Sequence, residues 1–298
     1  VPDSAAVNEA VKLTRELHLD PFAGMVNAVL RRLVDNKETL KWPDSSEGAH
    51  YLSVMYSLPE WLAQRLIDDY GADEAQRIAS YRTEKHFITI RPTYGQREGD
   101  FEKMLSRKVW ETEKGVMPGA VRVYGAMQIA RDSDFIKGLY SIQGEGSMLA
   151  AEAVGAKHGM SVLDCCAAPG GKSTQLAAKM RGQGLLACNE NHPKRAKILS
   201  QNVERMAISN ALVLQETPER LAKRFPGWFH RVLVDAPCSG EGMFRKETAA
   251  LEDWSPELVE MCARRQAGIL DAAAELLAPG GRLGYSTCTF APPEDEGA

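Results

Sequence analysis

Two cysteines end apolar runs in the same way, Pro237-Cys238 after Val232 to Ala236 and Thr287-Cys288 after Leu283 to Ser286, and this repetition constrains the fold more than any other feature. Short apolar runs closed by turn residues read as buried strands. Ligands of an open α/β sheet lie beyond the carboxyl ends of its strands, so two thiols far apart in sequence can share one pocket there. The chain also carries Asp164-Cys165-Cys166-Ala167-Ala168-Pro169-Gly170-Gly171-Lys172, a Gly-rich turn between a strand and a helix. The pattern therefore predicts a small-molecule site with two thiols beside it.

After Gln143 the sequence alternates regularly. Strands are expected at 161–165, 185–189, 211–215, 231–235 and 282–286, and the intervening helices include 194–206, where Ala196, Leu199, Val203 and Met206 repeat at helical spacing. Another helix opens at Ser255-Pro256 and runs to Leu277, where Pro279-Gly280-Gly281 is read as its terminator. Such alternation predicts an α/β fold with a doubly wound, Rossmann-like sheet. Residues 1–81 read as helices at 5–17, 22–34, 58–70 and 74–81, with Ser57 as an N-cap and Gly71 as a stop. Residues 82–142 read as a small α+β segment, with strands at 87–90 and 120–123 flanking a basic helix at 101–108. The expected division is thus 1–81, 82–142 and 143–298.

A chain of 298 residues, 44% hydrophobic, can bury a sizeable core. No apolar stretch approaches the roughly 18 residues of a membrane span, and Val1-Pro2-Asp3-Ser4 has neither region of a secretory signal. A cytoplasmic protein is expected, and a monomer. The cysteines at 165, 166, 188, 238, 262 and 288 form no Cys-x-x-Cys pair and have no His at zinc-ligand spacing, so no metal is expected. A net charge of −4 argues against a protein that coats nucleic acid with its whole surface. A local patch stays open: Arg77, Arg82, Lys85, Arg91, Arg97, Lys103, Arg107 and Lys108 stand against four acids in the same stretch. Such a run is either an RNA contact or a solvated face.

The Gly-rich turn decides between ligand classes. It lacks Gly-x-Gly-x-x-Gly, which disfavours a dinucleotide, and Gly171-Lys172-Ser173 ends like a P-loop but has Cys166 where that motif needs Gly. S-adenosylmethionine remains, its ribose hydroxyls suited by an acid after the second strand, where Glu190 stands; Glu190 reads equally as an ordinary strand-end acid. Cys238 and Cys288 read either as small buried hydrophobes or as nucleophiles. Beside a methyl donor, a thiolate suits attack on C6 of a pyrimidine, which makes C5 nucleophilic. Asp235 is then placed to hydrogen-bond the N3/N4 edge of cytosine, or to cap its strand.

Together these residues resemble the Sun-type (NSUN, RsmB/RsmF) RNA cytosine-C5 methyltransferases. The resemblance rests on Asp164 to Thr174, on Asp235-Ala236-Pro237-Cys238-Ser239-Gly240-Glu241-Gly242, and on Tyr285-Ser286-Thr287-Cys288-Thr289, and it covers the chain from about Ile142 onward. It implies Cys288 as nucleophile, Cys238 as the thiol that helps resolve the covalent intermediate, and Asp235 with Lys172 near the cytosine. It also implies that Cys166, Ala167, Ala168, Pro169, Gly170, Gly171, Lys172, Glu190, Glu216 and Asp235 line an S-adenosylmethionine site. The implied substrate is RNA, ribosomal 16S RNA first and transfer RNA as the alternative; a non-catalytic RNA-binding module is the rival from another class.

Upstream, Ala5 to Ala10 and Val26 to Arg32 resemble the closing helices of the NusB-like domain found in RsmB, whereas Gly242 to Lys246 and Trp254 to Glu257 are more similar to RsmF. Three departures stand out. The NusB-like part lacks its first half, Gln143-Gly144-Glu145-Gly146-Ser147 carries two glycines where the family has bulkier residues, and the family's Pro-Glu-Glu-Asn is Pro292-Pro293-Glu294-Asp295. Five strands are visible where the family's sheet has seven, so a C-terminally truncated domain with reduced activity is expected.

Overall fold

A computed structural model describes residues 2–81, 86–93, 99–244 and 248–298. The chain forms two compact units, Val1–Arg82 and Thr83–Ala298. The first is helical, with α1 (Asp3–Glu16), α2 (Ala23–Asp35), α3 (Ala49–Tyr56), α4 (Glu60–Tyr70) and α5 (Ala72–Ser80). Helix α3 escapes the periodicity because Tyr51, Leu52, Val54, Met55 and Tyr56 leave it no polar face. Ser57 is not the N-cap of α4: it closes α3 in the left-handed conformation (φ 57°) with its N–H on the Ser53 carbonyl, and α4 starts from Pro59 with no side-chain cap. Gly71 (φ 80°) does end α4.

The second unit contains two sheets. The smaller is antiparallel, β1 (Phe87–Pro92), β2 (Glu111–Lys114), β3 (Val121–Tyr124) and β4 (Tyr140–Ile142), in the order β2-β3-β1-β4. Its buried face packs Ile90, Val123 and Tyr140 on Phe101 and Met104 of α6 (Asp100–Leu105). Strand β2 has no sequence signal because it is an exposed edge of charged and polar residues. A short helix α7 (Ser133–Ile136) leads into β4.

Three of the eight cations in the basic run are engaged within the fold. Lys108 bridges Asp132 at 2.7 Å and Asp134 at 2.6 Å, and Arg77 pairs with Glu74 at 2.7 Å. Arg91 is buried, and burial pushes its pKa down to about 9. Its guanidinium donates to Gln143 Oε1 at 2.6 Å and to the Gly171 carbonyl and Thr174 Oγ1, each at 2.8 Å, tying β1 to the helix after the Gly-rich turn. Lys103 and Arg107 are exposed; Arg82, Lys85 and Arg97 lie outside the described residues.

The larger sheet is parallel: β5 (Ser161–Asp164), β6 (Leu185–Asn189), β7 (Ala211–Leu214), β8 (Phe229–Asp235) and β9 (Leu277–Ser286), ordered β7-β6-β5-β8-β9. Alternate residues face opposite layers, as the strand period requires. Val162, Leu186, Cys188 and Leu233 meet α8 (Glu145–Val154), α9 (Gly171–Met180) and α10 (Pro193–Arg205). Leu163, Ala187, Val232 and Val234 meet α11 (Pro218–Arg224) and, beyond the short α12 (Thr248–Glu252), α13 (Pro256–Leu276). Ser255 caps α13, its Oγ accepting the Leu258 N–H. Pro279-Gly280-Gly281 is not a terminator between elements but a bulge inside β9: Leu277 pairs with Phe229 and Arg282 with Arg231, so residues 278–281 stand opposite His230 alone. Among the described residues, no helix is long and apolar enough to cross a membrane.

Candidate active site

The strand order reverses direction between β5 and β8, where crossovers leave toward opposite edges of the sheet, and ligands of such sheets sit in the crevice this opens. A cavity of about 1300 Å³ occupies that place. Its wall includes Cys166, Ala168, Pro169, Glu190, Asp235, Cys238 and Cys288. Ala167, Gly170, Gly171 and Lys172 form the turn behind it, and Glu216 does not line it but pairs with Arg220 at 3.0 Å.

The Gly-rich turn is built by its neighbours. Asn189 at the end of β6 donates to the Cys165 carbonyl at 3.1 Å and to the Glu216 carbonyl at 2.9 Å, while its Oδ1 accepts the Glu216 N–H at 3.1 Å. From α10, Arg195 donates to the Ala168 carbonyl at 2.8 Å and Asn202 to the Pro169 carbonyl at 2.7 Å. Glu190 is 3% exposed, with one oxygen on the His192 N–H at 2.9 Å and the other 3.5 Å from Arg195.

The conformational demand on the turn falls on Gly170. It has φ 110°, and a Cβ there would lie 3.1 Å from Leu199 Cδ1, whereas a Cβ on Gly171 meets nothing nearer than Gln143 Cδ at 4.0 Å. Gly170→Ala is therefore expected to lose about 1–3 kcal/mol of stability while Gly171→Ala stays near wild type, read as urea unfolding midpoints.

Beneath the turn, Asp164 is fully buried; Oδ2 accepts Ser173 Oγ at 2.6 Å and Oδ1 has no partner. Burial pushes its pKa up from 3.8 to about 7. The unfolded chain thus releases this proton at lower pH than the folded one, and stability falls as pH rises from about 4 to about 7. The loss amounts to at most about 4 kcal/mol. Asp164→Asn will flatten this segment of the unfolding free energy plotted against pH.

The reactive groups meet at the ends of β8 and β9. Residues Asp235 and Ser286 are register partners, and Ser286 Oγ donates to Asp235 Oδ1 at 2.8 Å. Lys172 Nζ, from the first turn of α9, holds the other oxygen at 2.7 Å. One turn beyond, Cys238 Sγ and Cys288 Sγ are 3.3 Å apart, and the Cys288 N–H points to Cys238 Sγ at 3.4 Å. Hydrogen bonding to Cys238 pulls the Cys288 thiol below its ordinary pKa, and the same bond, with burial, pushes Cys238 up. Cys288 is the exposed member of the pair and Cys238 the half-buried one. The other cysteines differ: burial pushes Cys188 and Cys262 up, and Cys165 is raised by its hydrogen bond to Cys166 and by burial. No group of His, Cys, Asp and Glu that could hold a metal occurs among the described residues.

The sequence is similar to known proteins. Residues 151–298 match the family model of the 16S rRNA methyltransferase RsmB/F, and residues 1–35 match that of the NusB family. Residues 151–298 belong to the RsmB/F methyltransferase family. The chain is 33% identical over 300 residues to a Bacillus subtilis protein named probable ribosomal RNA small subunit methyltransferase B, an alignment covering 97% of this chain and 65% of that protein. It is 39% identical over 175 residues to ribosomal RNA small subunit methyltransferase F of Aeromonas salmonicida, covering 57% of this chain and 37% of that one. The chain thus spans under two thirds of the length of these relatives. A crystal structure of a methyltransferase homolog from Pyrococcus horikoshii superposes with a TM-score of 0.70 at 26% identity, over 82% of this chain and 78% of that one. The family's NusB-like helices and Rossmann-like sheet are both present here.

Several residues that hold the site carried no signal in the thiol and loop motifs: Asn189, Arg91 and Gln266, whose amide donates to the Pro237 carbonyl at 3.0 Å. For Gln266 a signal existed. Val259, Cys262, Ile269, Ala273 and Leu276 repeat along the buried face of α13, and Gln266 is the polar residue in that series.

Proposed function

We propose that this chain is the S-adenosylmethionine-dependent part of an RNA cytosine-C5 methyltransferase, acting on small-subunit ribosomal RNA. The observation that carries the reading is the Cys238–Cys288 contact of 3.3 Å beside the Lys172–Asp235 pair, at the mouth of the cavity. A single buried cysteine would support no such reading, but two thiols polarised in opposite senses do.

The residues present suit the cofactor. Its amine and ribose call for acidic strand ends, supplied by Asp164 with an unused buried oxygen and by Glu190, and its carboxylate for backbone N–H groups at a helix start, supplied by the 166–171 turn. When bound, S-adenosylmethionine supplies an electrophilic methyl group. The Cys288 thiolate adds to cytosine C6, forming a C–S bond and pushing the ring electrons toward C5 and N3, so that C5 becomes the carbon able to take a methyl group. Asp235, held from both sides by Lys172 and Ser286, receives the N3/N4 edge, which must be protonated or hydrogen-bonded as negative charge develops there. Transfer of the C5 proton to a base, return of any proton taken up at N3 and departure of the Cys288 thiolate then restore the ring. Cys238, in contact with that sulfur, assists this second half.

Incubating the chain with methyl-labelled S-adenosylmethionine and with 16S ribosomal RNA or transfer RNA, then digesting to nucleosides, tests the reading. Label in 5-methylcytidine from ribosomal RNA is expected. Label only from transfer RNA would replace the substrate, and RNA binding without label would favour the non-catalytic module.

A further inference from the structure

Two buried carboxylates clamp the loop after Cys238 to the loop after Cys288, one reaching across from each side. Glu241 accepts the Phe290 N–H at 3.0 Å and the Trp254 indole N–H at 3.1 Å. Glu294, fully buried, accepts the Ser239 N–H at 2.9 Å, the Ser239 hydroxyl at 2.5 Å and the Gln266 amide at 3.1 Å. That Gln266 nitrogen also donates to the Pro237 carbonyl at 3.0 Å; with an acceptor on both sides, the amide has one sensible orientation. Tyr285, from β9, donates to the Glu294 carbonyl at 2.6 Å. The loops themselves touch through backbone: the Gly242 N–H bonds the Cys288 carbonyl at 2.8 Å, where a Cβ on Gly242 would come within 2.7 Å of the same oxygen.

The two carboxylates differ in what they grip. Glu241 holds residues beyond the thiols. Glu294 grips both neighbours of Cys238, Ser239 directly and Pro237 through Gln266, while its own backbone is tied to the strand that carries Cys288. A carboxylate buried among neutral donors is tolerated only while each donor stays in place, so it orders them as a set. We infer that Glu294 is a positioning residue of the reaction: it gathers the backbone on both sides of Cys238 onto the Cys288 segment and thereby sets the contact between the two sulfurs. This rests on the reading of the thiols as the catalytic pair.

The test uses the whole chain as wild type, Glu294→Ala, Glu294→Gln and Ser239→Ala. Iodoacetamide alkylation of Cys288, followed by peptide mass spectrometry across pH, reads the thiolate without RNA. Methyl transfer to ribosomal RNA reads turnover, and calorimetry reads cofactor affinity. Because contact with Cys238 is what favours the Cys288 thiolate, Glu294→Ala will move the alkylation curve to higher pH. It will also lower kcat on the order of a hundredfold, the scale of a misplacement of about 1 Å, with cofactor affinity unchanged. Glu294→Gln can keep one oxygen on Ser239 N–H and Gln266 and donate its NH2 to the Ser239 hydroxyl, so it will recover most of both. Should Glu294→Ala not fold, Ser239→Ala removes the hydroxyl's bonds to Glu294 and to Thr289 Oγ1 but keeps the Ser239 N–H on Glu294, and will give a smaller shift in the same direction. A folded Glu294→Ala or Ser239→Ala whose alkylation curve superimposes on wild type overturns the inference. An alkylation shift in a protein that methylates no RNA would overturn the functional reading and support the positioning role.

Discussion

Cys238→Ala will leave RNA covalently attached to the protein, and Cys288→Ala will give neither adduct nor product. The asymmetry follows from the sulfur contact of 3.3 Å, in which Cys288 carries the lowered pKa and the exposed position while Cys238 is the raised partner. Removing the thiolate removes the attacking electron pair, and turnover falls on the order of 10⁴-fold or more, the scale seen when a covalent nucleophile is deleted. Removing Cys238 leaves the Cys288 sulfur in place, without the bond that lowers its pKa, so attack is slowed at neutral pH but not abolished. Attack and methylation at C5 then proceed, but elimination lacks the group in contact with the departing sulfur, and a complex that survives denaturing gel electrophoresis accumulates. The double variant abolishes it. Because the chain spans 65% of its Bacillus subtilis relative, the same pair of variants belongs in that longer protein as well. Normal turnover by Cys238→Ala, or RNA trapped by Cys288→Ala, would reverse the roles.

Asp235→Asn is expected to lower kcat by about 10²–10³-fold, the usual effect of deleting one preorganised electrostatic contact, at saturating cofactor and with little change in fold. The carboxylate has both oxygens occupied, by Lys172 Nζ at 2.7 Å and Ser286 Oγ at 2.8 Å, so its plane is set before any base arrives. Asn keeps the shape but turns one acceptor into a donor. That donor must face either the Lys172 ammonium or the Ser286 hydroxyl, and the charge that opposes Lys172 is lost. Ser286→Ala frees one oxygen and keeps the charge, so a smaller loss of about tenfold is expected from it. Steady-state rates with ribosomal RNA, with cofactor affinity measured separately, decide the matter. Retention of activity within a few fold by Asp235→Asn would return Asp235 to a strand-end role.

The catalytic half was legible because its elements are self-signalling. Apolar strand runs, the helical period of α10 and the Ser255-Pro256 cap of α13 are local features, and each falls within a residue or two of its expected place, except that β9 begins five residues before the expected start at 282. The thiol motifs and the Gly-rich turn are likewise contiguous, so the placement of Cys238, Cys288 and Asp235 at strand ends followed from residues near them in sequence. Elements without an amphipathic pattern were missed: α3, apolar on too many sides, and β2, polar throughout as an exposed edge. Pro279-Gly280-Gly281 was misread because a bulge and a helix stop use the same residues, and only pairing with β8 distinguishes them.

What the sequence determined by itself was the alternation of strands and helices after Gln143, the candidate reactive side chains and the ligand classes that the turn disfavours, since all three depend on local spacing and chemical type. What only the tertiary structure decided was which of these groups meet and in which direction burial and hydrogen bonds shift their proton affinities. Arg91 reads as one cation in a basic run until burial places it under the turn. Glu294 and Gln266 act on Cys238 from 56 and 28 positions away, and the difference between the two thiols arises from a hydrogen bond across 50 positions. Distances and burial of this kind come from packing elements against one another, and no local pattern encodes them.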